Sequence, residues 1–158
     1  MYVSGVTVRG RVRRGLLALA GLSNVLPHER TVPENLLAVI RSLRATGEYT
    51  GPPILVERRH MVILDGHHRA EALRMLGARA VPALLVDYSD PGIILGSWRG
   101  ARVSRREVLA RALRGELFPP KTTRHIILFG LPSVRAPLEL LRSARPRVLV
   151  VGEEHALR

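Results

Sequence analysis

The sequence predicts a mixed α/β fold, an α+β arrangement in which a few helices pack on a mixed sheet of short strands. Short apolar runs of strand length recur along the chain, and between them apolar residues recur at helical spacing. The content of 46% hydrophobic and 24% charged residues is ordinary for a compact globular protein. These observations favour one compact unit with a core of its own.

Four segments have the pattern of helices. Thr31-Val32-Pro33-Glu34 matches a capping box, and apolar residues at helical spacing follow it as far as Gly47. Ser104-Arg105-Arg106-Glu107 matches a second box, ahead of Gly115. Two further helices are predicted at residues 67–76 and from residue 137 onward.

The apolar runs predict the strands. We expect strands at residues 12–22, 54–56, 61–64, 81–86, 91–98, 126–129 and 148–151. We divide the chain into a core at residues 1–100 and a smaller C-terminal lobe at residues 101–158, which packs on that core.

Composition excludes several kinds of chemistry. The chain has no cysteine, so disulfides, Cys-ligated zinc and thiol catalysis are ruled out. Its net charge of +12 comes almost wholly from arginine, because Lys121 is the single lysine. Such a charge suits anionic partners, but no basic segment interleaves with aromatic residues, so we do not predict nucleic-acid binding from charge alone.

No apolar run approaches the ~18–20 residues that a membrane-spanning helix needs. The arginines at positions 9, 11, 13 and 14 precede a short apolar run at residues 16–20, which loosely imitates a signal peptide. We interpret this run as an interior strand and expect a cytoplasmic protein, either a monomer or a small homo-oligomer.

The segment Asp65-Gly66-His67-His68-Arg69 is the strongest candidate site. A strand ends at a carboxylate, a glycine allows a tight turn, and a helix begins at once. The first amides of a helix are unpaired and attract anions, whereas cationic side chains in the first turn are unfavourable. A bound phosphate would resolve that conflict. The alternative is that Asp65 is an N-cap and its neighbours are exposed.

Three other features have a structural and a functional interpretation. Lys121-Thr122-Thr123-Arg124-His125 is a solvated basic loop or a second phosphate contact, without the glycine spacing of a Walker loop. Glu29, after Pro27-His28, is a favourable charge near a helix start or a general base. Trp98, the single tryptophan, is a packing residue by default.

Metal binding through the adjacent histidines is not expected. His67 and His68 point in different directions on a helix and cannot easily share one ion. A magnesium ion held by Asp65 and a substrate phosphate is more plausible, because Mg²⁺ uses few carboxylates and many waters.

The strand–Asp65-Gly66-His67-His68-Arg69–helix junction resembles the signature of the ParB/sulfiredoxin superfamily, whose members bind nucleotide phosphates at this turn. Sulfiredoxins carry a catalytic cysteine there, which this chain lacks. ParB partitioning proteins continue into a helix-turn-helix domain, for which too few residues follow here. The resemblance extends furthest to the free L-serine kinase branch of archaea. It is carried, in chain order, by residues 27–29, the junction itself, Trp98 and residues 120–125.

The resemblance implies transfer of a phosphoryl group from ATP or ADP to the hydroxyl of free L-serine, giving O-phospho-L-serine for serine and cysteine metabolism. Glu29 would be the general base, and Asp65 would bind Mg²⁺ or orient the nucleophile. Trp98, with His68, would line the serine pocket. The residues implied to contact the nucleotide phosphates are Gly66, His67, His68, Arg69, Lys121, Thr122, Thr123, Arg124 and His125.

One departure from that branch concerns the segment between Trp98 and Lys121, which is short here where the family has a sizeable lobe. Two rival hypotheses stay open. The first is a ParB-like nucleotide-dependent DNA-binding protein or nuclease, which the +12 charge favours. The second is a nucleotide-binding regulator without transfer activity.

Overall fold

The computed structural model describes residues 1–98 and 100–156. In chain order the elements are β1 (Tyr2–Val3), β2 (Val6–Arg9), β3 (Leu16–Gly21), α1 (Pro33–Thr46), β4 (Glu48–Gly51), β5 (Ile54–Glu57), β6 (Val62–Asp65), α2 (His67–Met75), β7 (Ala80–Val86), β8 (Ile93–Gly96), α3 (Arg105–Arg114), β9 (Arg124–Ile127), β10 (Ser133–Pro137), α4 (Leu138–Ser143), β11 (Arg147–Val151) and α5 (Glu153–Ala156).

The largest sheet has five strands in the order β11-β3-β7-β5-β6. β5 and β7 pair in parallel, whereas the other neighbours are antiparallel. Nearly every residue of the three middle strands is buried, as expected for strands covered on both faces. The mixed sheet confirms the predicted mixed α/β class.

A second, antiparallel sheet has the order β1-β2-β10-β4, and β8 pairs with β9. The sequence interpretation missed β1, β2, β4 and β10, because none of them is a continuous apolar run. In β10, buried and exposed residues alternate along the whole strand. That alternation was a detectable signal of a strand with one solvated face.

Segments beyond residue 100 pair with segments from the start of the chain. β10 lies between β2 and β4, and β11 pairs with β3 at the edge of the large sheet. The division into a core and a lobe at residue 100 stays a prediction.

The predicted helices are confirmed, but the prediction of one of the two capping boxes is wrong. Ser104 caps α3 by accepting a hydrogen bond from the Glu107 amide at 3.1 Å. At α1 the N-cap is Val32, so Thr31 lies one residue too early and no side chain caps the helix. The Val32 amide instead donates to Nε2 of His68, at 2.9 Å.

The predicted strands are confirmed, and their bounds change by more than one residue at three of them. The run at 12–22 contributes only Leu16–Gly21, the run at 91–98 only Ile93–Gly96, and the last strand before β10 begins two residues early, at Arg124. Pairing partners set these bounds, since β8 and β9 are matched residue by residue from Ile93↔Ile127 to Gly96↔Arg124.

The turn from β6 into α2 depends on glycine. Gly66 has φ +101°, and a Cβ at this position would lie 2.4 Å from Cγ2 of Ile54, a fully buried residue of β5. Both the backbone angle and the close approach therefore require glycine. α1 packs beside α2 and places its N-terminal end next to this turn. Across residues 1–98 and 100–156, no helix combines the length and the apolarity that crossing a bilayer requires.

Candidate active site

The β6–α2 junction presents unpaired amides. Asp65 ends β6 and is exposed, and Gly66 is the N-cap of α2. The first bond of the helix runs from the Ala70 amide to the Gly66 carbonyl, at 3.0 Å. The amides of residues 67–69 therefore have no partner within the helix, and neither a side-chain cap nor an acidic residue lies in its first turn. This end of the helix is suited to an anion.

The two histidines that follow are not the positive charges that the sequence suggested. Nε2 of His67 accepts the His28 amide at 3.1 Å, and Nε2 of His68 accepts the Val32 amide at 2.9 Å. Both rings thus need a lone pair on Nε2 and are neutral. Burial, and then the neighbouring histidines, lower the pKa of His67 well below its usual value, and burial also lowers the pKa of His68. The expected conflict with the helix dipole is therefore absent for these two residues.

Arg69 points towards β4 and β5. Its guanidinium donates to the Tyr49 hydroxyl at 2.6 Å and to the Pro52 carbonyl, and it lies over the Tyr49 ring. Burial raises the pKa of Tyr49 to about 12, so Tyr49 remains a neutral acceptor. Arg69 thereby connects the start of α2 to the turn between β4 and β5.

The segment that carries His28 and Glu29 lies between two other parts of the chain. On one side the Ile63 amide of β6 donates to the Leu26 carbonyl at 2.8 Å. On the other side the Phe118 amide donates to the His28 carbonyl at 2.8 Å, and Glu29 and Phe118 form an isolated β-bridge. This arrangement brings residues 28–29 next to the loop at 119–123.

The Glu29 carboxylate is bound to that loop. Oε1 accepts the amides of Thr122 at 3.1 Å and Thr123 at 2.7 Å, and lies 3.0 Å from the Thr123 hydroxyl oxygen. Among the residues that the structure describes, only the Lys121 amide donates to Oε2, at 3.2 Å. Lys121 has φ +59°, which turns the successive amides towards one point. Glu29 thus holds the loop in place, a contact that spacing along the chain does not reveal.

His28 is a residue to which the sequence interpretation gave no role. Its side chain is fully buried, with Nδ1 2.6 Å from the Ile63 carbonyl oxygen and Nε2 2.8 Å from the Thr123 hydroxyl oxygen. Burial lowers the pKa of His28, so the ring is neutral. The sequence held no signal for this role, because Thr123 lies 95 residues further along the chain.

The rest of the Lys121–His125 motif has partners within the protein. The Thr122 hydroxyl donates to the Pro119 carbonyl at 2.7 Å, and the Arg124 guanidinium lies 4.2 Å from the centre of the Trp98 ring. Nε2 of His125 is 2.7 Å from the Tyr88 hydroxyl, and burial lowers the pKa of His125 to about 3.

One cavity of about 430 Å³ brings most of these residues together. Nine of the residues predicted for the site are in its lining: Glu29, Asp65, Gly66, His67, His68, Arg69, Trp98, Lys121 and Thr123. Thr122, Arg124 and His125 are not. A second cavity of about 340 Å³ adjoins Glu29 and His67 from another side and is lined by Arg30, Glu71 and Arg74. Glu29 therefore lies where the two cavities meet.

Comparison with known proteins gave no matching family model but several similar proteins. The chain is 32% identical to an ATP-dependent L-serine kinase of Staphylothermus marinus over 102 residues, which are 62% of this chain and 40% of that protein. It is 32% identical to an ADP-dependent L-serine kinase of Thermococcus kodakarensis over 49% of this chain and 33% of that protein. A ParB-like protein of Sulfolobus acidocaldarius is 36% identical over 46% of this chain and 35% of that protein.

Solved structures match over more of the chain. A mutant free serine kinase in complex with ADP superimposes with a TM-score of 0.74 and 19% identity, over 83% of this chain and 96% of that one. Truncated SbnI from Staphylococcus aureus gives a TM-score of 0.63 and 18% identity, over 82% of this chain and 90% of that one. The chain spans less than half the length of the curated relatives that it matches. It therefore has the fold of the free serine kinases and is similar in sequence to the L-serine kinases of archaea.

Proposed function

We propose that this protein is a phosphotransferase that moves a phosphoryl group from ATP or ADP to the hydroxyl of free L-serine. The products are O-phospho-L-serine and the nucleotide shortened by one phosphate. The observation that carries the proposal is the cavity of about 430 Å³, in which a carboxylate, the free amides of a helix and a second carboxylate meet. The names of the similar proteins support serine as the acceptor and ATP or ADP as the donor.

The nucleotide phosphates bind at the start of α2. The amides of residues 67–69 have no partner in the helix, and Gly66 presents no side chain between them and a ligand. Lys121 lines the same cavity and adds the cationic charge that a phosphoryl group needs as charge develops on it. His67 and His68 contribute their backbone amides here, and Nε2 of each ring accepts a hydrogen bond from another amide and so is not a donor to phosphate.

Asp65 is the residue that would hold Mg²⁺. It is exposed at the end of β6 and lines the cavity beside the free amides. Within the described residues there is no cluster of three carboxylate, histidine or cysteine ligands. One carboxylate fits Mg²⁺ nevertheless, since this ion is commonly held by one or two carboxylates, substrate phosphates and water. The ion would neutralise phosphate charge at this position.

Glu29 is the general base that takes the proton from the serine hydroxyl. Oε1 has three donors within reach, whereas Oε2 accepts from a single described group, the Lys121 amide at 3.2 Å. Oε2 is therefore the oxygen with room for the substrate hydroxyl. The same bonds hold the carboxylate in a fixed orientation, which favours proton transfer at a defined point.

Trp98 and His68 both line the cavity and would form its serine side. Trp98 is 60% exposed, and the Arg124 guanidinium lies over the face of its ring. A bound amino acid would cover this ring. Thr122, Arg124 and His125 act on the site indirectly, by fixing the loop that carries Lys121 and Thr123.

The test is direct. The protein is incubated with Mg²⁺ and L-serine, with either ATP or ADP, and O-phosphoserine is measured by mass spectrometry. L-alanine replaces serine in the control, because it has no hydroxyl to phosphorylate. Product with one donor and none with alanine supports the proposal. Absence of product with both donors rejects it, and salt-sensitive DNA binding in the same preparation would favour the DNA-binding hypothesis.

A further inference from the structure

The hydroxyl of Thr123 lies between two acceptors. Its oxygen is 2.8 Å from Nε2 of His28 and 3.0 Å from Oε1 of Glu29. A threonine hydroxyl has one proton and can donate it to only one of them. The direction of this single proton decides how many donors the Glu29 carboxylate receives.

The Ile63 carbonyl determines that direction. A carbonyl oxygen only accepts, so the contact of 2.6 Å between it and Nδ1 of His28 requires the proton of the ring on Nδ1. A neutral ring then has a lone pair on Nε2, which faces Thr123. Burial lowers the pKa of His28 and keeps the ring neutral. The Thr123 proton therefore points to His28, along the shorter of the two contacts.

We propose that His28 is a positioning residue that draws the Thr123 hydroxyl proton away from Glu29 and thereby keeps Glu29 a stronger base. This inference rests on the proposed function, in which Glu29 accepts the proton of the serine hydroxyl. Each hydrogen bond donated to a carboxylate stabilises its ionised form and weakens it as a base. The loop amides hold the Glu29 carboxylate in its orientation. By accepting the Thr123 proton, His28 keeps one further hydrogen bond from being donated to that carboxylate.

Other ionisable groups face this pair and are the same in every comparison below. Those around Glu29 are Asp65, His67, His68, Arg69 and Lys121 in one cavity and Arg30, Glu71 and Arg74 in the other. The rings of His67 and His125 face His28. The variants therefore change one donor at Glu29 and leave this set of charges in place.

The tautomer is testable without any activity. In ¹⁵N-labelled protein, long-range ¹H–¹⁵N correlation spectra distinguish the two ring nitrogens of each histidine. Between about pH 6.5 and pH 8 we expect His28 to be protonated on Nδ1 and bare on Nε2. A proton on Nε2, in the other tautomer or in the imidazolium, would overturn the inference whatever the enzyme does.

The pH profile of kcat/KM tests the effect on Glu29. Asn places its amide near the position of Nδ1, so His28→Asn keeps a donor to Ile63 but lacks the acceptor for Thr123. The freed hydroxyl then donates to Glu29, and the acidic limb moves to lower pH by about 1 unit with a several-fold lower plateau. His28→Gln offers an acceptor near the position of Nε2 and stays closer to the wild-type profile. Adding Thr123→Val to His28→Asn returns the limb towards its wild-type position.

Thr123→Val alone covers the case in which His28→Asn does not fold. If the hydroxyl points away from Glu29, removing it does not move the acidic limb to higher pH. An upward shift of about 1 unit would show that Thr123 donates to Glu29 and would overturn the inference. If the wild-type protein makes no phosphoserine, the proposed function fails and the tautomer measurement still decides the role of His28. Active wild-type protein with unmoved limbs in His28→Asn refutes this inference alone.

Discussion

Replacing Gly66 with alanine tests the turn between β6 and α2, where we propose that phosphate binds. At φ +101° a residue with a side chain costs about 1–2 kcal/mol in backbone strain. The added Cβ would also lie 2.4 Å from Cγ2 and 2.8 Å from Cβ of Ile54, which is fully buried and cannot swing away. Overpacking of this kind costs about 1–3 kcal/mol. We therefore expect Gly66→Ala to lower the free energy of unfolding by about 2–5 kcal/mol in total.

Urea denaturation measures this cost, and the chain contains a matched control. Gly77 also has a positive φ, +82°, but a Cβ there would meet nothing within 4 Å. Gly77→Ala should thus show only the backbone part, about 1–2 kcal/mol. In an Ile54→Ala background, Gly66→Ala should cost less than in the wild type, because the clashing methyl group is gone. Equal costs at Gly66 and Gly77, or strict additivity with Ile54→Ala, would refute the steric argument.

The same substitution should weaken nucleotide binding. Relief of the clash moves the start of α2 away from β5, and the free amides of residues 67–69 move with it. We expect the Kd for ADP or ATP to rise at least about tenfold in protein that is still folded. A rise of this size corresponds to the loss of one charge-assisted hydrogen bond. An unchanged Kd would remove this turn from the nucleotide site.

Three further predictions concern the rest of the site. Glu29→Gln should lower kcat by about 10²–10⁴-fold, with a nucleotide Kd within about tenfold of the wild type. Glu71→Gln in the adjoining cavity is the control and should leave kcat unchanged. Equal kcat values for the wild type and both variants would exclude Glu29 as the base. Burial lowers the pKa of His125 to about 3. Below about pH 6.5 the unfolded chain therefore binds a proton at this residue that the folded protein does not. The contribution of His125 to the free energy of unfolding thus falls by about 1.4 kcal/mol for each pH unit of acidification. His125→Phe should flatten the slope of unfolding free energy against pH between about 6 and 4.5, and an unaltered slope would contradict the assignment. Trp98→Ala should raise the KM for serine without changing the nucleotide Kd. Arg124→Gln should raise the same KM less, by about a few-fold, since the Arg124 guanidinium lies over the Trp98 ring. A change in the nucleotide Kd alone would place Trp98 on the nucleotide side of the cavity.

Local signals predicted much of the fold. The helices from Pro33 to Thr46 and from His67 to Met75 follow from apolar spacing and from the glycines after them, because helix formation depends on residues three or four positions apart. The turn at Gly66 was recognisable for the same reason, since strand, glycine and helix start are adjacent in the chain. The Ser104 cap needed only Glu107, three residues away.

Contacts between distant segments were beyond the sequence. The second sheet depends on β10 entering between β2 and β4, strands far apart in the chain and only weakly patterned. The positive charge expected from His67 and His68 was wrong for a related reason, because both rings accept amides from residues 28 and 32 and are neutral. A residue type predicts its usual charge, but burial and hydrogen-bond partners decide the actual one.

Taken alone, the sequence determined that a strand–glycine–helix turn lies at residues 65–69, where it predicts an anion site, and that a carboxylate precedes the first long helix. Only the tertiary structure decided which groups that carboxylate contacts. Glu29 binds the amides of residues 121–123, and Thr123 joins it to the buried ring of His28. These bonds connect residues more than 90 positions apart. Spacing along the chain does not predict such pairs, because they form only when the packing of the sheets brings the two loops together.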